Sequence, residues 1–156
     1  MILYHGSNVE IDCIDLNKSM RGKDFGQGFY LSADRAQAEE MAVFKAMQFD
    51  GTPVVTAFEL DEQMLSSLKT KRFDGYSLEW AEFVFANRSN QSYEPIHDYD
   101  VVYGPIADDK VGVQIRNLIE KNITIEVFLE RLKYIKGITF QYYFGTQHAI
   151  SLLKRL

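Results

Sequence analysis

YHGS, residues 4–7, sets a histidine beside a glycine at the end of the first apolar segment of the chain. Ile2–His5 reads as a strand, with Leu3 and His5 on one face and Ile2 and Tyr4 on the other. A surface turn would explain the His–Gly pair, and so would the lining of a pocket; partners elsewhere decide. Two further short strands supply them. Phe29–Ser32 turns Phe29 and Leu31 one way and Tyr30 and Ser32 the other, while Ile138–Phe144 separates Phe140, Tyr142 and Phe144 from Thr139, Gln141 and Tyr143. If the three strands meet around one cleft, an imidazole (His5), a phenol (Tyr30) and a carboxamide (Gln141) line it. The neighbouring Gly6, Gly26 and Gly28 let backbone approach a ligand closely.

The other elements are read outward from these three. The segment "NKSMRGKDFGQG" is Gly-rich and charged, and is expected to be a loop with a mobile part. Ser32 is a candidate N-cap for a helix over 34–49, whose apolar side is Ala38, Met41 and Phe44. Strands are expected at 53–60 and 98–107, and an aromatic helix over 79–87. Val111, Ile115, Leu118 and Ile119, then Ile125, Phe128, Leu129 and Leu132 after a Thr124 cap, carry helical spacing. Thr146 caps a final helix with Ala149, Leu152, Leu153 and Leu156 on one face. Strands and helices mix without a strict alternation, so the fold class is α+β in a single domain, 1–156.

Charge and composition exclude several functions. The formal net charge is −5 with Lys and Arg scattered, which argues against nonspecific nucleic-acid or anionic-membrane binding but leaves a small anionic ligand open. A lone Cys13 excludes an internal disulfide framework and a cysteine-built metal site. Neither a signal peptide nor an apolar run of about 18 residues is found, so a cytoplasmic protein with no membrane partner is expected.

Together "YHGS", "DFGQGFYLS" and "TFQYYFGTQHAISLLKRL" resemble the signature segments of the ADP-ribosyltransferase superfamily. The branch is the histidine–tyrosine–glutamate one, which includes diphtheria-type toxins and poly-ADP-ribose polymerases. Within it, the chain is most similar to small bacterial proteins with "YHGS … DFGxGFYxS". "LEWAEFVFANR" and "DYDVVYGPIADD" extend the likeness through the middle. The resemblance implies split antiparallel sheets around an NAD cleft, with helices outside. His5 would hold a ribose hydroxyl of NAD, the Gly6 backbone would grip the nicotinamide amide, and Tyr30 would stack on the ring, with Ser7 and Ser32 nearby. Phe25 and Gly28 would add contacts, and Arg21 and Lys23 would face the phosphates. No metal is implied.

Gln141 stands where the branch has glutamate. A carboxamide accepts a hydrogen bond from a ribose hydroxyl but offers neither a base nor a full negative charge. Its loss from an oxocarbenium-like transition state is expected to cost about 10²-fold or more. The activity implied is single transfer of ADP-ribose from NAD to a macromolecular acceptor, protein or nucleic acid, in a toxin or another role. The alternatives are an NAD-binding module without turnover and an interaction protein of a toxin–antitoxin pair. Gln147 and His148 are read as first-turn residues of the last helix, and Asp108 and Asp109 as helix-capping. Asp24 is read as a site carboxylate or a turn residue, Asn87 and Arg88 as bracing the site or touching phosphate, and His97 as lacking a partner.

Overall fold

The computed structural model describes residues 1–135 and 137–156. In chain order it contains β1 (Ile2–Ser7), β2 (Phe29–Leu31), α1 (Arg35–Phe49), β3 (Val54–Glu59), β4 (Thr70–Arg72), α2 (Leu78–Ser89) and β5 (Val101–Pro105). There follow α3 (Asp109–Ile119), α4 (Ile125–Leu132), β6 (Phe140–Phe144), α5 (Gln147–Ser151) and β7 (Lys154–Arg155). The strands form two sheets, ordered β1-β3-β7 and β2-β6-β5-β4. The class is α+β, as expected.

One correction concerns strand direction. β4 pairs with β5 in parallel, whereas the other pairings between these strands are antiparallel. The cause is α2, which carries the chain back between β4 and β5 as a crossover and so returns it in the same direction. A second correction concerns the C-terminus. The final helix stops at Ser151, and Lys154–Arg155 lies antiparallel on Phe58 and Glu59 of β3. The Leu156 amide then donates to the Ala57 carbonyl at 3.0 Å.

Side-chain caps fix the helix starts. Asp34, Ser77, Asp108, Thr124 and Thr146 each accept a first-turn amide of α1 to α5 respectively, occupying one donor that the helix leaves open. Ser32 is not the cap of α1; its Oγ accepts from the Asp34 amide at 3.0 Å and donates to Gln37.

The apolar residues fill two cores. Trp80, Val84, Val102, Val111, Phe128 and Tyr143 pack in one, and Leu3, Phe29, Leu31, Phe58, Val101 and Phe144 in the other. The buried side of α1 is Ala38 and Ala42, not Ala38, Met41 and Phe44; the latter two are 43% and 60% exposed. The reason lies in β1. A Cβ at Gly6 would sit 2.0 Å from the Ala38 carbonyl oxygen, so helix and strand backbones nearly touch and only small residues fit between them.

The two sheets meet at the end of β2, and the notch between β1 and β2 beside that meeting point is the crevice. Phe29–Leu31 registers with Phe144–Tyr142 of β6. The next residue, Ser32, instead exchanges two backbone hydrogen bonds with Tyr4 of β1, at 2.7 and 2.9 Å. Beyond that bridge no further backbone hydrogen bond joins β1 to β2 among the described residues. Since backbone polar groups alternate sides along a strand, the Gly6 N–H and C=O face the side that Tyr4 presents to Ser32. No described helix is long and apolar enough to cross a membrane.

Candidate functional site

His5 follows Tyr4 on β1, and its ring stacks on Phe29 with centroids 4.2 Å apart. Its Nδ1 lies 2.7 Å from the Tyr30 carbonyl oxygen. A carbonyl only accepts, so Nδ1 carries the proton and Nε2 is left as an acceptor. Burial, and then the Lys45 and Lys23 cations, push the imidazole down to about 3, although the bond to Tyr30 opposes them. His5 is therefore neutral, with Nε2 able to accept a hydrogen bond.

That shift has a consequence for stability. An unfolded histidine titrates near 6.5, so between pH about 3 and 6.5 the unfolded chain binds a proton that the folded chain does not. Stability from this group is unaffected above pH 6.5 and falls as pH drops through the window, by up to about 1.4 kcal/mol per pH unit. Urea midpoints from pH 4.5 to 7.5 should fall less steeply for His5→Asn than for the natural chain. Parallel curves would refute a depressed His5.

Gly6 is buried, and its carbonyl accepts from Lys45 Nζ at 2.9 Å. The glycine is needed by the helix on its α-carbon side, and its backbone faces the crevice on another; these are separate demands. Tyr30 is the cross-strand partner of Tyr143 and meets that ring edge-on at 5.4 Å. Its hydroxyl donates to the Gly26 carbonyl at 2.7 Å and accepts from the Phe25 amide at 3.0 Å. Burial raises the phenol well above its ordinary value, so Tyr30 stays neutral with its hydroxyl already engaged. Lys23 Nζ lies 5.1 Å from the ring centroid.

Gln141 shares with Tyr143 the face of the sheet that bears Tyr30. Its Nε2 donates to Asp24 Oδ2 at 3.0 Å. The same carboxylate accepts from Arg88 Nε at 2.7 Å and from the Ala107 amide at 3.0 Å, and the Asp24 side chain is only 12% exposed. Arg88 also donates to the Ala107 carbonyl. A carboxylate from the loop thus sits against the amide of β6, and its bonds join α2, the turn after β5 and β6. Asp24 was legible only as an ambiguous turn residue, because its partners lie 64, 83 and 117 positions away.

Other expected residues take different places. Arg21 donates to the Gln91 carbonyl and stacks on Tyr93 at 4.2 Å. It lines a separate cavity of about 190 Å³ with Gly26, Gln27, Asn87, His97 and Tyr143, to which His5, Gly6, Tyr30 and Gln141 do not contribute. Phe25 is wholly buried in the core rather than open to a ligand. Ser7 and Ser32 are buried, and their hydroxyls serve local turns at Val9 and Asp34. Gly28 gives its amide to Ser19 Oγ, and a Cβ there would fall 2.2 Å from the Tyr143 ring.

His97 does have partners. Its Nε2 lies 2.7 Å from the Phe25 carbonyl, and its Nδ1 accepts from the Tyr99 amide, so it clamps the loop. With Asp24 it fixes the C-terminal half of a segment that the sequence suggests is mobile. Nothing in the sequence marks Lys45, because a lysine within a helix ordinarily lies on a solvated face. Among the described residues no cluster of three or more His, Cys, Asp or Glu could hold a metal ion.

Comparison with known proteins places these features in a family. No curated protein and no solved structure matches the chain. A family model described as a protein of unknown function, DUF3990, matches residues 1–155. The chain that carries His5, Tyr30 and Asp24 in this arrangement belongs to the DUF3990 family.

Proposed function

We propose that the chain is an NAD-dependent mono-ADP-ribosyltransferase with the split-sheet fold of that superfamily, which moves ADP-ribose from NAD to a macromolecular acceptor and releases nicotinamide. One observation carries this: where β1 leaves β2, the neutral His5 imidazole is hydrogen-bonded to the Tyr30 carbonyl, and the Gly6 backbone next to it faces the same side of β1 as the bridge to Ser32. A neutral imidazole with a free acceptor nitrogen suits a ribose hydroxyl. A backbone donor and acceptor side by side suit a primary carboxamide, once Lys45 has released the Gly6 carbonyl. Asp24 supplies negative charge next to Gln141, where positive charge would build on the ribose as the glycosidic bond breaks.

The test is incubation with NAD labelled in its adenosine half, scoring nicotinamide release and label transfer to a cell extract, beside His5→Ala. The natural chain should transfer label, and the variant should be slower by 10²-fold or more. Equal rates for the two would remove His5 from the chemistry.

A second reading, an NAD-binding module without turnover, is favoured by one contact: the Gln141 amide is already held by Asp24. It predicts that NAD raises the melting temperature without releasing nicotinamide.

A further inference from the structure

We propose that the cavity beside Gly26 binds a small, uncharged, planar heterocycle that carries an amino group next to a ring nitrogen. The cavity, of about 190 Å³, is lined by the loop before β2, the end of α2 with the segment after it, and β6. It receives nothing from His5, Gly6, Tyr30 or Gln141, so the inference does not rest on the transferase reading.

Three polar groups converge on its floor. A Cβ on Gly26 would lie 3.2 Å from Asn87 Oδ1, 3.6 Å from His97 Nε2 and 3.8 Å from Tyr143 Oη. The glycine, with its φ of +102°, leaves that space open. Asn87 and Tyr143 are 2% and 3% exposed, yet both line the cavity. Asn87 Nδ2 donates to the Phe83 carbonyl at 2.8 Å; a carbonyl only accepts, so Oδ1 is the atom on the other branch. No donor among the described residues reaches Oδ1. Every fully enclosed side-chain polar atom among the described residues has a partner, so Oδ1 must open on the cavity. A nearly buried acceptor left without a partner is costly, and a ligand N–H would satisfy it.

The remaining groups define what fits. Tyr143 gives its proton to the Gln27 carbonyl at 3.2 Å, which leaves its oxygen as a second acceptor. His97 has both ring nitrogens engaged, with Phe25 and Tyr99, and contributes only a flat face. The floor therefore selects a donor. The second N–H of Asn87 sets a donor beside the Oδ1 acceptor, the pair that grips an amino group and an adjacent ring nitrogen. Arg21 and Glu94 in the wall offset each other and the floor is neutral, so nothing selects an ion. A cavity of about 150 Å³ takes up benzene, so this one holds a single substituted ring and excludes a whole dinucleotide. The Gly26 carbonyl also anchors the Tyr30 hydroxyl, and an occupant would touch the backbone that orients Tyr30.

Nuclear magnetic resonance titration of the full chain with 2-aminopyrimidine tests the site, with 2-(dimethylamino)pyrimidine as the counterpart that lacks N–H donors. The amides of Gly26, Gln27 and the Asn87 side chain should shift and saturate with the amino compound. The dimethylated one should bind about tenfold or more weakly. Asn87→Leu removes the acceptor, while its backbone amide still closes the helical bond to Phe83. That variant should also bind about tenfold or more weakly and, without ligand, melt no lower than the natural chain. No saturable shift in the natural chain, equal affinity for the two compounds, or unchanged affinity in Asn87→Leu would overturn the proposal. A marked fall in the melting temperature of ligand-free Asn87→Leu would do so too, by making Asn87 part of the folded framework. Cytosine and cytidine carry the same edge and should displace the probe. Displacement by cytosine alone identifies a free base, displacement by both a nucleoside whose sugar stays outside, and displacement by neither would overturn the assignment.

Discussion

Gly6→Ala should lower the melting temperature by about 10 °C, corresponding to roughly 3 kcal/mol of overpacking in a chain of this size. The added Cβ would meet the Ala38 carbonyl oxygen at 2.0 Å, the Ala38 carbonyl carbon at 3.0 Å and the Ala42 amide nitrogen at 2.8 Å. All are backbone atoms of α1, so no side-chain rotation relieves the contact. The strand and helix must separate, and the Lys45 bond to Gly6 is strained with them. Thermal unfolding followed by circular dichroism measures the effect. A loss below about 2 °C would mean that α1 does not pack on β1 as described.

The second large effect concerns Gln141→Glu, which would bring a new carboxylate within about 3 Å of Asp24 Oδ2. Two carboxylates that close cannot both ionise freely, so one pKa rises well above its ordinary value. We expect a loss of about 2 kcal/mol at neutral pH, with Arg88 moderating the repulsion. The sign follows from linkage: a carboxyl whose folded pKa is raised stabilises the fold below its unfolded pKa and loses that contribution as pH rises through the folded pKa. The variant should therefore approach the natural chain in stability near pH 4 and fall behind at pH 7. Urea unfolding at the two values measures it, and an equal deficit at both would rule out direct contact. Asp24→Asn with Gln141→Glu removes the like-charge pair and should restore most of the loss. That double variant moves the carboxylate from the loop to the strand, and is the appropriate form in which to compare nicotinamide release.

The parts of the fold set by local chemistry were readable from residues. The caps at Asp108, Thr124 and Thr146 needed only a side-chain oxygen before a periodic run, and β1 and β2 only short-range alternation. β4 was not readable, because Thr70–Arg72 is polar and becomes a strand only by lying on β5. Leu152 and Leu153 carry helical spacing and pack into the core, yet the chain after them is captured by the open edge of β3. Periodicity alone favours Met41 and Phe44 on the buried face of α1, whereas contact with Gly6 selects the smallest side chains. At the candidate site, His5 and Tyr30 stood out through their glycine-rich neighbours. Asp24, Lys45 and His97 acquire their meaning from long-range contacts that no local spacing records.

The Tyr4–Ser32 bridge is a backbone link between the two sheets. One peptide pair couples the two sheets immediately beside the crevice, so a wedge pushed in at Gly6 would act on it with leverage. The amide protons of Tyr4 and Ser32 would then exchange with deuterated solvent at a rate that gauges how often this bridge opens, and an occupant spanning it would slow both together.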